Sequence, residues 1–273
     1  PISGTFLRQT ILQIWGNFKE KYKGKPLEEI NSLWNEYVQK HLLKRINGFE
    51  LMMAPYAVAH MKLAMVLKET GYDFSGKERL KVLLTNSLEK AGKTELTLFD
   101  DPLAMESMEA NEVKQNKGIN IVIGNPPYSG ESGNKGEWIM SLMEDYKKEP
   151  GGVQKLQERN PKWINDDYVK FIRYAQTYVE RAGAGIIAFI NPHGFIGNPT
   201  FRGMRWNLLK TFDKIYILDL HGNSNRQETC PDGSKDENVF DIQQGVSINI
   251  FVKTGETSNV SAESPNVFHA DLW

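Results

Sequence analysis

The sequence predicts an α/β fold with a mainly parallel, twisted sheet and helices on both faces. Short apolar runs that indicate buried strands alternate along the chain with longer segments whose apolar residues recur at helical spacing. Such alternation is typical of parallel sheets. The last two apolar runs, 214–220 and 247–252, are joined only by a polar loop. They are therefore expected to form an antiparallel pair at one end of the sheet.

Each element follows from the spacing of its apolar residues. The predicted strands are 45–50, 80–84, 119–124, 185–190, 214–220 and 247–252. The predicted helices are 5–16, 27–43, 55–68, 167–181 and 200–211. Residues 89–118 show no clear period and are expected to be irregular, and the charged segment 19–25 is expected to be a connection.

Two segments carry expectations beyond their element type. In the predicted helix 55–68, Ala57, Met61, Ala64 and Met65 share one side, and the methionines are expected to fill gaps in the core. The Gly-rich, charged stretch 129–161 is expected to be either a mobile loop over a site or an insertion.

Composition limits the class of protein. With 273 residues and 40% hydrophobic side chains, the chain can bury a core large enough to support a cofactor cleft. Its 33 Lys and Arg against 34 Asp and Glu give a net charge of −1, so positive charge for a polyanion must be local or lie outside this chain. The single cysteine, Cys230, excludes an internal disulfide and is compatible with a reducing compartment. Neither a membrane span nor an export signal is indicated.

The most informative motif is Asn125-Pro126-Pro127-Tyr128, which directly follows the apolar run 119–124. Open α/β sheets bind their ligands at the carboxyl ends of strands. The two prolines fix φ at consecutive positions, so the Asn125 side chain and the Pro126 carbonyl are held at a set geometry. Both groups are hydrogen-bond acceptors and suit an exocyclic NH2 group, and Tyr128 offers an aromatic face to the ring that carries it.

This motif resembles that of the amino-group DNA methyltransferases that use S-adenosylmethionine, where Asn at its first position goes mostly with N6-adenine. The resemblance implies a Rossmann-like class I methyltransferase domain over 1–273. Residues 1–118 would be the cofactor-binding half and 119–273 the target-base and catalytic half. The cofactor-binding half thus comes first in the sequence and the catalytic half second, which is the gamma-type motif order. The segment 236–246 is especially similar to the methylase part of single-chain restriction-modification enzymes of the type I-like and type IIG groups.

The resemblance also implies a set of cofactor-binding residues. The segment Ser3-Gly4-Thr5-Phe6-Leu7 resembles the second half of the family's Gly-rich motif, where the backbone approaches the cofactor at a helix N-terminus. The first half of that motif is missing before it. Glu50 ends the predicted strand 45–50, which corresponds to the second strand of the family fold. It is expected to accept hydrogen bonds from the ribose hydroxyls. Asn86, with Ser87 beside it, stands where the family has an Asp that holds the cofactor adenine. The implied cofactor-binding residues are Gly4, Thr5, Phe6, Glu50, Asn86, Ser87 and Asn125.

The implied reaction is direct methyl transfer to N6 of an adenine extruded from the duplex. Asn125 and the carbonyl of Pro126 would polarise the amine, and Tyr128 and Phe240 would stack on the two faces of the base. No metal is implied. His193 lies in the loop 191–195, after the predicted strand 185–190, which corresponds to the fifth strand of the family fold. It has no carboxylate or nucleophile nearby in sequence and is expected only to shape the pocket.

The resemblance implies double-stranded DNA as partner, together with nuclease, helicase and target-recognition domains of a longer bacterial or archaeal polypeptide. The family's central first strand would precede Pro1, so residues 1–273 are not expected to form an intact sheet. A strand from other residues would fill that slot, or neighbouring strands would close over it and damage the cofactor pocket. Whether this chain is active by itself stays open.

Two alternatives remain. Protein-glutamine N5 methyltransferases also use Asn-Pro-Pro-Tyr, because a side-chain amide presents a similar NH2 group. The other alternative is a non-catalytic module that retains only the fold and its contacts with DNA or a partner.

Overall fold

The computed structural model describes residues 4–76, 78–92, 102–128, 130, 132–158, 161–255 and 266–273. The chain divides into two compact units, Pro1–Asn116 and Lys117–Trp273, each with its own hydrophobic core. A two-stranded sheet lies in the first unit and a five-stranded sheet in the second. The α/β class is confirmed, and the strands of the described residues form two separate sheets, as expected. The cofactor and target-base roles of 1–118 and 119–273 stay a prediction.

The first unit contains two short strands among five helices in its described part. The strands are β1 (Asn47–Glu50) and β2 (Lys81–Leu84), and the helices are α1 (Thr5–Lys21), α2 (Leu27–Tyr37), α3 (Leu43–Arg45), α4 (Met53–Glu69) and α5 (Pro102–Gln115). A π-helical turn over 38–42 joins α2 to α3. The strands pair in parallel with Glu50 opposite Leu84, and Ile11, Trp34 and Leu63 are fully buried in the core.

Two boundaries in this unit differ from the prediction. Helix α1 continues past Gly16 to Lys21, because the buried Phe18 anchors its last turn in the core, so part of the predicted connection 19–25 is helical. Helix α5 lies in the segment expected to be irregular. It is tied to β2 by tertiary contacts, since Glu106 accepts a hydrogen bond from the Leu84 amide at 3.1 Å and pairs with Arg79 at 2.8 Å.

The methionines of α4 do not fill the core, contrary to the prediction. Met61 and Met65 are 57% and 55% exposed. The buried side of α4 is instead formed by Ala59, Leu63 and Val66. Because α4 is apolar on nearly all sides, hydrophobic spacing alone did not distinguish its two faces.

The second unit is built on a mixed sheet in the order β3-β4-β6-β5-β7. Its strands are β3 (Ile121–Gly124), β4 (Gly185–Pro192), β5 (Lys214–Asp219), β6 (Val246–Lys253) and β7 (Asn266–Asp271), and its described α-helices are α6 (Glu137–Met143), α7 (Asp167–Ala182), α8 (Gly194–Gly197) and α9 (Arg202–Thr211). The expected antiparallel pairing of β5 with β6 is confirmed. The pair is not at the end of the sheet, because β7, which the sequence did not predict, adds in parallel to β5.

One face of this sheet packs against helices. Ile187, Phe189, Ile215 and Phe251 point into a core shared with α7 and α9. Helix α7 has a strongly apolar side, and it ends at Gly183, whose φ of 80° lets its amide reach the Val179 carbonyl.

The opposite face carries apolar side chains that remain exposed. Strand register places six of them on this side, with exposed fractions from 36% to 62%. We call this set the open sheet face: Ile121, Ile123, Ile186, Tyr216, Ile250 and Phe268.

The stretch 129–161 is not simply a loop. It contains α6, and Ile139, Met143 and Tyr146 are buried in its described part. Tyr146 is fully buried and donates a hydrogen bond to Gln176 on α7 at 2.7 Å. Among the described helices, none is long and apolar enough to span a bilayer.

Candidate functional site at the carboxyl edges of the strands

The Asn-Pro-Pro-Tyr motif lies at the carboxyl end of β3. The β3–β4 pairing ends with Gly124 opposite Phe189, and the chain then leaves the sheet. Pro126 is buried, whereas Asn125 is half-buried and Pro127 is exposed. The hydroxyl of Tyr128 lies 2.5 Å from Oδ1 of Asn125 and 3.0 Å from the carbonyl oxygen of Ile190. The motif is therefore held both by its prolines and by a contact with β4.

The buried environment of Tyr128 favours the protonated form of its hydroxyl. Its ring packs against the core of the second unit, and burial raises the pKa of its hydroxyl well above the usual range. Burial therefore favours the protonated hydroxyl, which can donate a hydrogen bond.

The segment after the motif is held by the N-terminal end of α7. Ser132 donates to Asp167 and accepts from Lys170 at 2.6 Å, and the amide of Gly130 donates to Asp166 at 3.0 Å. Asp166, Asp167 and Lys170 are 2%, 7% and 1% exposed. Desolvation lowers the pKa of the Lys170 ammonium. Sequence reasoning missed this network, because a charged residue in an amphipathic helix ordinarily indicates a solvated face.

Phe240 lies on the loop 220–245, which connects β5 to β6. Because β5 is antiparallel to β6, and β6 is antiparallel to β4, this loop leaves from the same edge of the sheet as the Asn125–Tyr128 motif. The Phe240 side chain is 37% exposed. Its backbone is held by Asn238, whose Oδ1 accepts from the Phe240 amide at 2.8 Å and whose Nδ2 donates to the Gln244 carbonyl at 2.7 Å. Stacking of Phe240 on a base stays a prediction.

The carboxylate partner of His193, Asp219, is distant in sequence and comes from β5. The expectation that His193 shapes the pocket stays a prediction. Nδ1 of His193 lies 2.9 Å from Oδ1 of Asp219, and its Nε2 lies 3.1 Å from the Asn223 amide nitrogen. Both ring nitrogens therefore have a polar partner, the Asp219 carboxylate at Nδ1 and the Asn223 side chain at Nε2. A Cβ on Gly245 would come within 2.4 Å of the imidazole ring. His193 thus holds the two ends of the loop 220–245 together.

Asp219 is ionised in this arrangement. Burial acts to raise the pKa of its carboxyl, but hydrogen bonds from His193 and from the His221 amide outweigh that effect, so the pKa is lowered.

In the first unit, Glu50 ends β1 as a buried carboxylate, 7% exposed. Its Oε1 accepts hydrogen bonds from the backbone amides of Leu51 at 2.9 Å and Met52 at 3.3 Å. Among the described residues, no hydrogen-bond partner is found for its Oε2. The carboxylate is thus oriented through one oxygen, and the other remains able to accept hydrogen bonds from a ligand.

Asn86 and Ser87 lie beside Glu50 at the end of β2. The Thr85 amide donates to the Glu50 carbonyl at 2.8 Å, which brings the two strand ends together. Oδ1 of Asn86 accepts from the Leu88 amide at 3.0 Å, so this side chain closes a local turn. One lone pair of that oxygen is used by the turn. Contact of Asn86 and Ser87 with a cofactor stays a prediction.

The Gly-rich segment is described from Gly4 onward, and Ser3 lies outside the described residues. Gly4 has a φ of 72° and precedes the first turn of α1, and a Cβ there would come within 3.3 Å of Ala59. Thr5 and Phe6 are exposed in the first turn. The role of this helix N-terminus stays a prediction.

The α/β fold and the motif at the end of β3 place the chain in the class of restriction-modification methylases. The chain belongs to the Eco57I restriction-modification methylase family, which matches residues 7–225. No curated protein sequence matches it significantly.

Solved structures similar to this chain belong to much longer proteins. One is the ATP-dependent Type ISP restriction-modification enzyme LlaBIII bound to DNA, with 23% identity and a TM-score of 0.74 over 99% of this chain and 17% of that chain. A nuclease-deletion mutant of the Type ISP enzyme LlaGI shows 21% identity and a TM-score of 0.70 over 99% of this chain and 21% of that one. The DrdV–DNA complex shows 23% identity and a TM-score of 0.66 over 90% of this chain and 23% of that one. The chain thus spans about a fifth of the length of these neighbours.

Proposed function

We propose that this chain is the catalytic part of a site-specific DNA adenine-N6 methyltransferase that uses S-adenosylmethionine. The observation that carries the proposal is the anchored motif at the end of β3, where Asn125 and the Pro126 carbonyl are followed by a partly buried Tyr128. Its acceptor groups and aromatic ring suit a planar base with an exocyclic amine.

In this proposal, the motif holds the amine by its two N–H groups. Asn125 Oδ1 accepts one hydrogen bond and the Pro126 carbonyl accepts the other, which raises electron density on the nitrogen and orients its lone pair. Because the motif is fixed by two prolines and by the Ile190 contact, little reorganisation accompanies the reaction. After transfer, the amine loses one proton to solvent.

Two aromatic side chains stabilise the extruded adenine. Tyr128 stacks on one face and Phe240, 37% exposed on its loop, stacks on the other. Base–aromatic stacking is worth about 1–3 kcal/mol per base, which offsets the cost of unstacking the duplex.

The residues of the first unit fit a nucleoside cofactor. Glu50 offers an oriented carboxylate for the ribose hydroxyls, and the neighbouring Leu51 and Met52 side chains, 64% and 60% exposed, offer apolar surface for a ring. The backbone at Gly4, Thr5 and Phe6 suits the amino-acid end, and Asn86 and Ser87 suit the adenine. When bound, S-adenosylmethionine supplies an activated methyl group.

The proposed partners are double-stranded DNA and further nuclease, helicase and recognition domains of a longer polypeptide. The chain spans about a fifth of its structural neighbours, and two of these are described as bound to DNA or in a DNA complex. With a net charge of −1, the chain requires basic groups from such domains for most phosphate contacts. The proposed location is the cytoplasm of a bacterium or archaeon, and the single cysteine is compatible with a reducing compartment.

The test is to map methylated adenines in DNA exposed to the full-length protein with labelled cofactor. Asn125→Ala removes the side-chain acceptor and is expected to lower the rate at least about 100-fold, as does the loss of a transition-state hydrogen bond in other enzymes. Asn17→Ala changes an exposed asparagine of α1 and is the matched control, expected to retain full rate.

Each alternative has its own outcome in this experiment. Label transferred to glutamine side chains of added proteins, and not to DNA, would establish a protein methyltransferase instead. A full-length protein that shows no cofactor binding by calorimetry would establish a non-catalytic module.

A further inference from the structure

The hydroxyl of Tyr128 lies between two oxygen atoms, although it has only one proton to donate. Asn125 Oδ1 is 2.5 Å away and the Ile190 carbonyl oxygen is 3.0 Å away. A tyrosine hydroxyl donates one hydrogen bond at a time, and a carbonyl oxygen cannot donate in return. With both neighbours as acceptors, one of the two contacts brings two oxygens together without a hydrogen between them.

Rotation of the Asn125 amide by half a turn removes this conflict. The amide nitrogen and oxygen are nearly equal in size, and the hydrogen-bond network decides which atom faces which neighbour. With Nδ2 toward Tyr128, the amide donates to the hydroxyl oxygen and the hydroxyl donates to the Ile190 carbonyl. All three groups are then satisfied, and Oδ1 of Asn125 points to the opposite side.

The position of Ile190 makes it a fixed reference for this network. It lies in β4, paired with Ile248 of β6, and β3 ends one step earlier with Gly124 opposite Phe189. The Tyr128 hydroxyl therefore donates a hydrogen bond to a carbonyl just beyond the last residue pair of the β3–β4 ladder. Because that carbonyl belongs to the sheet, the direction of the hydroxyl proton is set by the fold.

We propose that Tyr128, through its hydroxyl, is a positioning residue that sets the orientation of the Asn125 amide and so presents Oδ1 to the target amine. This inference rests on the proposed methyltransferase function, and it gives the tyrosine a role separate from stacking of its ring. The orientation that satisfies Tyr128 and Ile190 together is the reactive one.

Tyr128→Phe in the full-length protein tests the inference, since it removes the hydroxyl and keeps the ring. The rate of methyl transfer under saturating DNA and cofactor, kcat, is expected to fall about tenfold, as for the loss of one oriented hydrogen bond. KM for DNA, and the fluorescence of 2-aminopurine placed at the target base, are expected to stay within about twofold, because the stacking ring is intact. Tyr216→Phe, on the open sheet face, is the matched control with unchanged kcat and KM.

A double-substitution experiment separates orientation from a general structural effect. Asn125→Asp has two acceptor oxygens, so no orientation has to be selected, and Tyr128→Phe is expected to change kcat by less than about twofold in that background. An unchanged or increased kcat for Tyr128→Phe alone would overturn the inference, and so would an equal loss in both backgrounds. If Asn125→Asp is too slow to measure, the values of kcat and KM for Tyr128→Phe alone decide. A variant with an unchanged kcat and only a changed KM would overturn the inference.

The result is distinguishable from failure of the proposed function. Full activity of Asn125→Ala, or no methylation of adenine by the wild-type protein, would reject the methyltransferase proposal itself. Loss of activity in Asn125→Ala with an unaffected Tyr128→Phe would reject only the orienting role of the hydroxyl.

Discussion

Glu50, the residue proposed to bind the cofactor ribose, is a buried carboxylate with a defined orientation. Carboxylates are rarely buried unless they are paired or hydrogen-bonded, and this one is oriented by two backbone amides on Oε1. The same amides hold it at the end of β1, so it loses little side-chain entropy when a ligand is bound.

At the residue scale, Glu50→Gln is expected to weaken S-adenosylmethionine binding about 10- to 100-fold. The amide oxygen can still accept from the Leu51 backbone, but an NH2 group then replaces the oxygen offered to the ribose hydroxyls. Calorimetric titration of the full-length protein measures the change. Glu69→Gln, an exposed residue at the end of α4, is the control, and equal affinities for both variants would exclude Glu50 from the cofactor site.

At the element scale, helix α7 is both a core element and a support for the motif. Its apolar side packs into the core of the second unit. At its N-terminal end, Asp166, Asp167 and Lys170 form hydrogen bonds with Gly130, Ser132 and Asn134. A buried lysine needs partners for its charge, and Ser132 and the Asn134 carbonyl supply them. The chain that follows Tyr128 is thus attached to a helix and not left as a free loop.

Lys170→Met is expected to lower the free energy of unfolding by about 2–4 kcal/mol, because Asp167 then stays buried without the positive charge beside it. Urea unfolding measures the loss, and Lys214→Met on the exposed start of β5 is the control. Adding Asp167→Asn to Lys170→Met removes both charges and is expected to recover part of the stability. A Lys170→Met protein as stable as the control would contradict this role of the network.

At the scale of the whole molecule, the second unit leaves one side of its sheet apolar and accessible. The open sheet face crosses all five strands of the described sheet, from Ile121 on β3 to Phe268 on β7. Contiguous exposed apolar surface of this kind promotes association, and β3 in addition presents an unpaired edge in the described sheet.

The 273-residue chain by itself is therefore expected to bind an apolar dye and to self-associate at micromolar concentration. Ile121→Lys places a charge on the edge strand at a side chain that is 62% exposed, and it is expected to reduce association with less than about 1 kcal/mol change in stability. Sedimentation velocity measures association, and Val153→Lys, at an isolated residue that is 89% exposed, is the control. If both substitutions act equally, net charge and not the open sheet face controls association.

The sequence by itself determined the positions of most strands and helices and the place of the motif at the end of β3. These features depend on local patterns, namely apolar runs, helical spacing and the restricted φ of two prolines, which act within a few residues. Glu50 at the end of β1 was recognisable for the same reason. The order of chemistry-bearing segments along the chain was thus readable without a structure.

The contacts between groups distant in sequence follow from the packing of the elements and not from local patterns. The His193–Asp219 pair joins residues 26 positions apart, and the contact of Tyr128 with the Ile190 carbonyl joins residues 62 positions apart. The exposure of Met61, the existence of α5 and the addition of β7 likewise depend on packing between segments, which periodicity does not encode. The physical reason is that a hydrogen bond or a buried face needs a partner, and the fold alone supplies that partner.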